Sequence, residues 1–212
     1  MTTTFSTLNV INHPLIKNKL AKIRSKETTT FDFRSTLNEI ASLMVYEITR
    51  ELPTEKKIIE TPLEKTECEV MTKAITLVPI LRAGLGMVEG ILQLIPNARV
   101  GHIGLYRDEE SLEPVEYYKK FPSNMPDSKI IMIDPMLATG GSGSAALNFI
   151  KKSGGRDISF VCLVAAPEGV KRIIKEHPDV PIYTAAFDRE LNEKAYILPG
   201  LGDAGDRIYG TE

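Results

Sequence analysis

Apolar residues in this chain gather into short, nearly unbroken runs separated by amphipathic stretches. Ile75 to Ile80, Val100 to Tyr106, Ile130 to Ile133, Ile158 to Ala165 and Ile182 to Ala186 are runs of the kind that strands buried on both faces require. Between them, Gly86 to Leu94, Ala145 to Lys152 and Glu168 to Glu176 read as helices. Strand and helix alternating in this way predict an α/β fold, a mainly parallel twisted sheet flanked by helices. Ligands of such sheets bind beyond the carboxyl ends of the strands, so the residues that follow each strand matter most.

Ahead of this alternation, residues 13–26 (HPLIKNKLAKIRSK) read as an arm leading into a basic amphipathic helix, with Leu15, Ile16, Leu20 and Ile23 on one side. Its Lys17, Lys19, Lys22, Arg24 and Lys26 suit a solvated face; an effector or subunit contact is the other use for such a face. Thr28 to Thr30 cap a second helix from about Phe31 to Arg50, in which Leu37, Ile40, Ala41, Met44, Val45 and Ile48 recur at helical spacing. Residues 56–72 alternate polar and apolar, which predicts an antiparallel hairpin flanking the core sheet. Asp108 to Lys120 reads as a long polar loop. No repeat or linker divides the 212 residues. They read as one domain, with a helical arm at about 13–50, a core at about 75–187 and a C-terminal segment at about 188–212.

Composition narrows the partners. With 42% hydrophobic and 25% charged residues the chain has an ordinary globular balance, long enough for one sizeable core. A net charge of −2 lacks the basic footprint of a nucleic-acid binder. No apolar run approaches the roughly 20 residues that span a bilayer, so no membrane partner is expected. The opening MTTTFSTLNV has neither the charged start nor the apolar stretch of a signal peptide. Cys68 and Cys162, in apolar-leaning strand-like surroundings and outside any C-x-x-C, read as reduced structural thiols of a cytoplasmic protein. His13, His102 and His177 are too scattered for metal-ligand spacing.

The chemistry concentrates in IIMIDPMLATGGSGSAALN, residues 130–148. Asp134 stands at the carboxyl end of a buried strand, a glycine-rich turn runs from Thr139 to Ser144, and a helix follows. Glycine lets backbone N–H groups approach an anion, the helix start adds partial positive charge, and Thr139, Ser142 and Ser144 add hydroxyls. A carboxylate just before such a cradle suits vicinal sugar hydroxyls. The implied ligand is a ribose carrying a 5′-phosphate. The same turn, Gly141, Gly143 and Ala146, also fits the dinucleotide pattern G-x-G-x-x-A with Glu168 as the ribose acid, the mark of an NAD-dependent dehydrogenase. Against that, the glycines begin several residues past the strand end. A nucleoside-triphosphatase loop needs Lys before Ser/Thr, and none is present.

Two further segments carry glycines at element ends. PILRAGLGM, residues 79–87, places Arg82 at the tip of a strand–helix loop. YILPGLGDAGD, residues 196–206, predicts a structured loop, neither helix nor strand. Arg107 follows the Val100–Tyr106 strand directly, where its planar fork would match phosphate oxygens or pair with Asp108 or Glu109.

DPMLATGGS, Asp134 to Ser142, resembles the phosphoribosyl-pyrophosphate (PRPP) loop of the type I phosphoribosyltransferases, in the form of the uracil phosphoribosyltransferase family. Pro135 stands where most of the wider fold has a second acid, a departure typical of that branch. The resemblance runs from His13-Pro14-Leu15 to Tyr209-Gly210-Thr211. It implies conversion of uracil and PRPP to UMP and diphosphate in pyrimidine salvage, with Mg²⁺ as cofactor. By the resemblance, Asp134, Pro135, Met136, Leu137, Ala138, Thr139, Gly140, Gly141 and Ser142 hold PRPP, and Asp134 is the acid left for the ribose hydroxyls. The Arg82 loop would hold the pyrophosphate, with a strained non-proline cis peptide near Arg82-Ala83. Arg107 would meet the leaving pyrophosphate as a catalytic residue, and the loop beyond, with Tyr117 to Lys120, would fold over the substrate. In a C-terminal hood, main-chain groups at Ile197, Gly202 and Ala204 would read uracil. Asp203 would also line the uracil site, be catalytic, face the ribose pyrophosphate and reach the metal through water.

The same resemblance implies a homo-oligomer, dimer or tetramer, and leaves a GTP effector open, since some family members respond to GTP. An RNA-binding pyrimidine regulator on the same fold is the rival reading. It should show a basic face and paired acids, whereas this chain is slightly acidic and has Pro135.

Overall fold

The computed structural model describes residues 5–107 and 114–211, with Arg107 and Pro114 described by their backbone alone. The chain opens with β1 (Leu8–Val10), α1 (Pro14–Arg24) and α2 (Thr30–Ile48). Both helices start on caps: the His13 ring accepts from Leu15 N–H, and the Thr29 hydroxyl accepts from Asp32 N–H. Pro14 takes the first helical position, where an N–H has no partner to lose. The hairpin of β2 (Thr54–Glu60) and β3 (Lys65–Met71) follows, then β4 (Ala74–Leu81), α3 (Leu85–Leu94), β5 (Arg99–Val100), β6 (His102–Arg107) and β7 (Pro114–Lys120). The alternation continues through β8 (Ser128–Ile133), β9 (Met136–Leu137), α4 (Gly141–Lys152), β10 (Asp157–Ala165), α5 (Pro167–Glu176) and β11 (Ile182–Phe187). β12 (Glu190–Leu191), β13 (Ile197–Leu198) and α6 (Ala204–Tyr209) make the C-terminal segment.

Among the described residues, nine strands form one sheet in the order β1-β11-β10-β8-β4-β6-β7, with β5 beside β4 and β9 beside β10. Every pairing in it is parallel except β6 with β7. This is the α/β sheet that the alternation predicts. Successive side chains leave a strand on opposite faces. Ile131, Ile133, Val161 and Leu163 therefore pack under α1, α2 and α3 with Leu20, Phe33, Leu37, Met44 and Ile91. Ile130, Met132, Phe160 and Cys162 pack under α4 and α5 with Leu147, Ile150, Val170 and Ile173. The second face keeps Cys162 inert, since burial pushes its thiol up to about 12.

Five expectations change. β1 is an extra edge strand, parallel to β11, that its sequence does not announce. Part of the expected polar loop is the edge strand β7, polar because it faces solvent; the rest, 108–113, lies outside the described residues. Tyr117 does not belong to a lid: its ring lies against Gly104, where a Cβ would come within 2.5 Å of it. The hairpin forms its own two-stranded sheet, mostly exposed, so Cys68 has no apolar core around it. Finally, α4 begins at Gly141 instead of Ala145, and the 196–206 stretch contains β13 and the start of α6.

Candidate active site

Past Ile133 the chain does not leave the sheet at once. Asp134 N–H donates to the Val161 carbonyl (3.1 Å), and the Pro135 carbonyl accepts from both Leu163 and Val164 N–H (2.9 and 3.1 Å). β9 then resumes the pairing opposite Val164 and Ala165. Two donors sharing one carbonyl mark a bulge, a place where Pro135, lacking N–H, removes nothing. The bulge aims Asp134 into a cavity of about 90 Å³ lined by Asp134, residues 136–143 and Phe160. Gly140 (φ 79°) sits on α5, where a Cβ would lie 3.0 Å from the Gly169 carbonyl oxygen. No side chain caps α4. Gly141 N–H makes only a long bond to Thr139 Oγ1 (3.5 Å), and the N–H groups that follow are left for whatever enters the cavity.

Asp134 is partly buried, and burial pushes its carboxyl up to about 7. Asp203 nearby adds in the same direction, while Met136 N–H, 3.5 Å from Oδ1, pulls the other way. Hydroxyl donors entering the cavity would favour the ionised form.

The Arg82 loop reaches the same edge. A Cβ on Gly84 would sit 2.5 Å from the Ile133 carbonyl oxygen and 2.7 Å from that of Ile80, so only glycine lets the loop lie flat on the ends of β4 and β8. The non-proline cis bond is Leu81–Arg82, one bond before the expected place. Arg82 is tied to α6: its carbonyl accepts the Tyr209 hydroxyl (2.9 Å), and its guanidinium stands 5.6 Å from the centre of the Tyr209 ring. A Cβ on Gly205 would lie 3.9 Å from that of Ala83, which brings the start of α6 beside this loop.

The C-terminal segment folds over that edge as a hood. Leu198–Pro199 is cis, and Gly200 (φ 61°) lets the chain pass over the Ile197 carbonyl, which a Cβ there would approach to 2.1 Å. Asp203 caps α6 by accepting from Asp206 N–H (3.0 Å). Ile197 and Ala204 point inward, 3% and 1% exposed, so what they offer outward is main chain. Two arginines hold the hood. Arg24 forks onto Asp188 (2.6 and 2.8 Å) and donates to the Gly200 carbonyl (2.8 Å), while Gly200 N–H returns to Asp188 (2.9 Å). Arg207 donates to the carbonyls of Ile23, Ser25 and Leu201 (2.6 to 2.8 Å) and lies 4.4 Å over the Phe33 ring.

The expected site residues therefore divide. Asp134, the 136–142 turn, the Arg82 loop, Gly202 and Asp203 gather at the carboxyl edge of the sheet. Arg107 ends β6, which pairs with β4 through Ile103 and Gly104, so its backbone emerges at that edge; its side chain lies outside the described residues. Pro135 and Leu137 are buried and offer only main chain. Ser144 is a correction. An earlier helix start puts Ser142 and Ser144 about 200° apart around the axis, and Ser144 turns away to Glu176 and His177. Glu168 accepts from Leu191 N–H (3.2 Å) and is no ribose acid. Arg24 is likewise no solvated-face residue, though Lys19 and Lys22 are, pairing with Glu39 and Asp32. Sequence reasoning missed Arg24, Asp188, Arg207 and Tyr209. The available signal was the proximity of Arg207 and Tyr209 to the glycines of the hood.

Among the described residues no three His, Cys, Asp or Glu side chains cluster to hold a metal ion. Asp134 and Asp203, close enough that the charge of Asp203 raises the pKa of Asp134, are hard oxygen donors. They fit Mg²⁺, which binds through one or two carboxylates and takes its other ligands from water and substrate phosphates.

A sequence-family model described as uracil phosphoribosyltransferase matches residues 10–211. A uracil phosphoribosyltransferase from Acholeplasma laidlawii is 58% identical over 205 residues, covering 97% of this chain and 99% of its own. Among solved structures, a protein from Aquifex aeolicus superposes with a TM-score of 0.92 at 40% identity, over 97% of this chain and 99% of its own. An adenine phosphoribosyltransferase from Leishmania donovani shares the fold, with a TM-score of 0.62 at 13% identity over 88% and 86% of the two chains.

Proposed function

This chain belongs to the uracil phosphoribosyltransferase family, and from that premise we propose how its residues turn uracil and PRPP into UMP and diphosphate. The observation that carries the assignment is the meeting, at one sheet edge, of Asp134, an uncapped helix start and the Asp203 end of the hood. The N–H groups and hydroxyls of 139–142 hold the 5′-phosphate, Asp134 accepts from the ribose hydroxyls, and main chain at 135–138 lines the sugar. Arg82 and Arg107 would neutralise the diphosphate, a role supported by the strands β4 and β6 that lead into them ending at the same edge of the sheet. Cleavage of the anomeric C–O bond runs ahead of attack by uracil N1, so positive charge grows on the ribose while negative charge grows on the leaving diphosphate. Fixed positive groups lower that barrier because they are in place before the charge appears. Asp203 orients the diphosphate side and would hold Mg²⁺ through water. Mg²⁺, when bound, would neutralise part of the leaving charge. Main chain at Ile197, Gly202 and Ala204 reads the base.

The arm, core and hood work as one domain in this reading, supported by the Arg24 and Arg207 bonds that join the arm to the hood. We further propose a homo-oligomer, supported by the exposed Ile58, Leu63 and Met71 of the hairpin, in a reducing cytoplasm that keeps Cys68 and Cys162 free. The deciding assay is uracil-dependent release of diphosphate from PRPP, run with and without Mg²⁺ and GTP. No release with uracil would overturn the assignment, and an unchanged rate would remove GTP as an effector.

A further inference from the structure

The glycine turn rests on a buried polar support that none of the chemistry above uses. Gly140 gives α4 no side-chain cap, and the turn itself holds the N–H groups at 141–143 only by the long bond from Gly141 N–H to Thr139 Oγ1 (3.5 Å). Ser144 acts on both sides of it. Its N–H closes the first helical turn on the Gly140 carbonyl (2.9 Å). Its hydroxyl, on a residue 2% exposed, bonds to the Glu176 carboxylate and to His177 Nε2 (3.0 Å). A serine hydroxyl has one proton and an ionised carboxylate only accepts, so that proton goes to Glu176, and His177 donates through Nε2–H. Burial lowers the pKa of His177, which favours the neutral ring, and the bond to the Ser144 hydroxyl selects the Nε2–H tautomer. His177 is 3% exposed and ends α5, with its N–H on the Ile173 carbonyl (2.7 Å). Arg172 holds Glu176 from the preceding turn (3.1 Å).

We propose that Ser144 and His177 are positioning residues for the sugar phosphate, locking the first turn of α4 onto the end of α5 so that the N–H groups of 141–143 keep one direction. The inference rests on the reading that this turn holds the 5′-phosphate. Contact of Gly140 with Gly169 brings the two elements together but does not fix their orientation. A hydrogen bond is directional, and in a buried site it excludes the alternatives that would leave its partners unpaired. Stability alone does not call for it: among Leu147, Ile150, Val170 and Ile173, an apolar pair of the same shape would serve about as well. The buried hydroxyl is also closed to any nucleophilic role of its own.

The test is a titration with ribose 5-phosphate, followed by the amide NMR signals of Gly141, Ser142 and Gly143 and by calorimetry, together with KM for PRPP and for uracil. Ser144→Ala and His177→Leu should each weaken ribose 5-phosphate and raise the PRPP KM by about tenfold, the contribution of roughly one hydrogen bond, with the uracil KM within about twofold. His177→Gln, which keeps a side-chain N–H, should restore most of the loss. The double variant Ser144→Ala/His177→Leu leaves no buried orphan, so it should melt close to the wild type yet bind as weakly as the single variants. Wild-type affinity in either single variant, or in the double variant, overturns the inference while leaving the phosphate reading intact. Amides at 141–143 that ignore ribose 5-phosphate in the wild type overturn both.

Discussion

Asp134 is held where its ionised form is least comfortable, and that has a measurable sign. Its carboxyl, ordinarily near 3.8, is pushed up to about 7 in the folded chain. Between those values the unfolded chain has released the proton and the folded chain keeps it. Folded protein therefore binds more protons, stability falls as pH rises from about 4 to about 7, and it stays level above. Asp134→Asn removes the dependence. In ligand-free protein at pH 8 it should unfold with a free energy higher by on the order of 2–4 kcal/mol, converging on the wild type near pH 4. Its turnover of PRPP should fall, a gain in stability against a loss of function that fits a site residue. Equal pH–stability curves would show that the carboxyl is not desolvated. For Arg82, and separately for Arg107, replacement by Ala should cost about 10²–10³ in turnover, the size of one preorganised charge-stabilising group. A loss below about tenfold in kcat/KM would take that arginine away from the diphosphate.

Elements show which parts of the chain its sequence could announce. β4, β8 and β10 are buried on both faces, so each needs an unbroken apolar run, and each is legible. β1 and β7 lie at the two edges, where solvent permits polar residues and the signal disappears. The starts of α4 and α6 are hidden by glycines and serines, poor helix formers on their own. Tertiary contact decides them: Gly143 lies so close to Phe160 that a Cβ would reach 2.7 Å from the ring, and Asp203 caps α6. The Arg24–Asp188 pair was out of reach for a different reason, since its partners stand 164 positions apart and a lysine-rich helix face looks solvated. That pair gives the element its test. Arg24→Met leaves Asp188, 7% exposed, with only the Gly200 N–H. Denaturant unfolding should show a loss of about 3 kcal/mol, toward the lower end for breaking a buried pair. Because Arg24 holds the hood and not the phosphate turn, the uracil KM should rise more than the PRPP KM. Parallel rises in both would mean that the hood is not what the arginine positions.

Across the whole molecule, the proposed grips on the base and on the sugar phosphate come from parts of the chain far apart in sequence. The phosphate turn grows out of the central sheet, while the hood hangs from the N-terminal helices through Arg24 and Arg207. Selectivity for the base then depends on how the hood presents its backbone. Asn192 N–H donates to the Tyr196 carbonyl (2.8 Å), so the next pair along, Leu191 with Ile197, is the alternate kind that exchanges no ladder bonds. Main chain at Ile197 is turned away from β12 and its side chain is packed in the core, as is that of Ala204, while Gly202 is exposed and has no side chain to cover its backbone. Uracil presents acceptor, donor and acceptor at O4, N3–H and O2. In the proposed reading, backbone N–H, C=O and N–H would meet that order without any side chain. Cytosine offers a donor at position 4 and an acceptor at N3, so two of three contacts become like facing like. A site built of fixed polar groups rejects such a partner by roughly 10⁴–10⁵, because its own groups are left unpaired. Enlarging a side chain at Ile197 or Ala204 disturbs packing beneath the hood and should weaken uracil, yet the ratio of kcat/KM for uracil over cytosine should survive, since the reading groups are main chain. Cytosine turned over within about tenfold of uracil by the wild type, or a ratio that collapses in an Ala204→Val variant that still folds, would place the discrimination in side chains and defeat backbone reading by this hood.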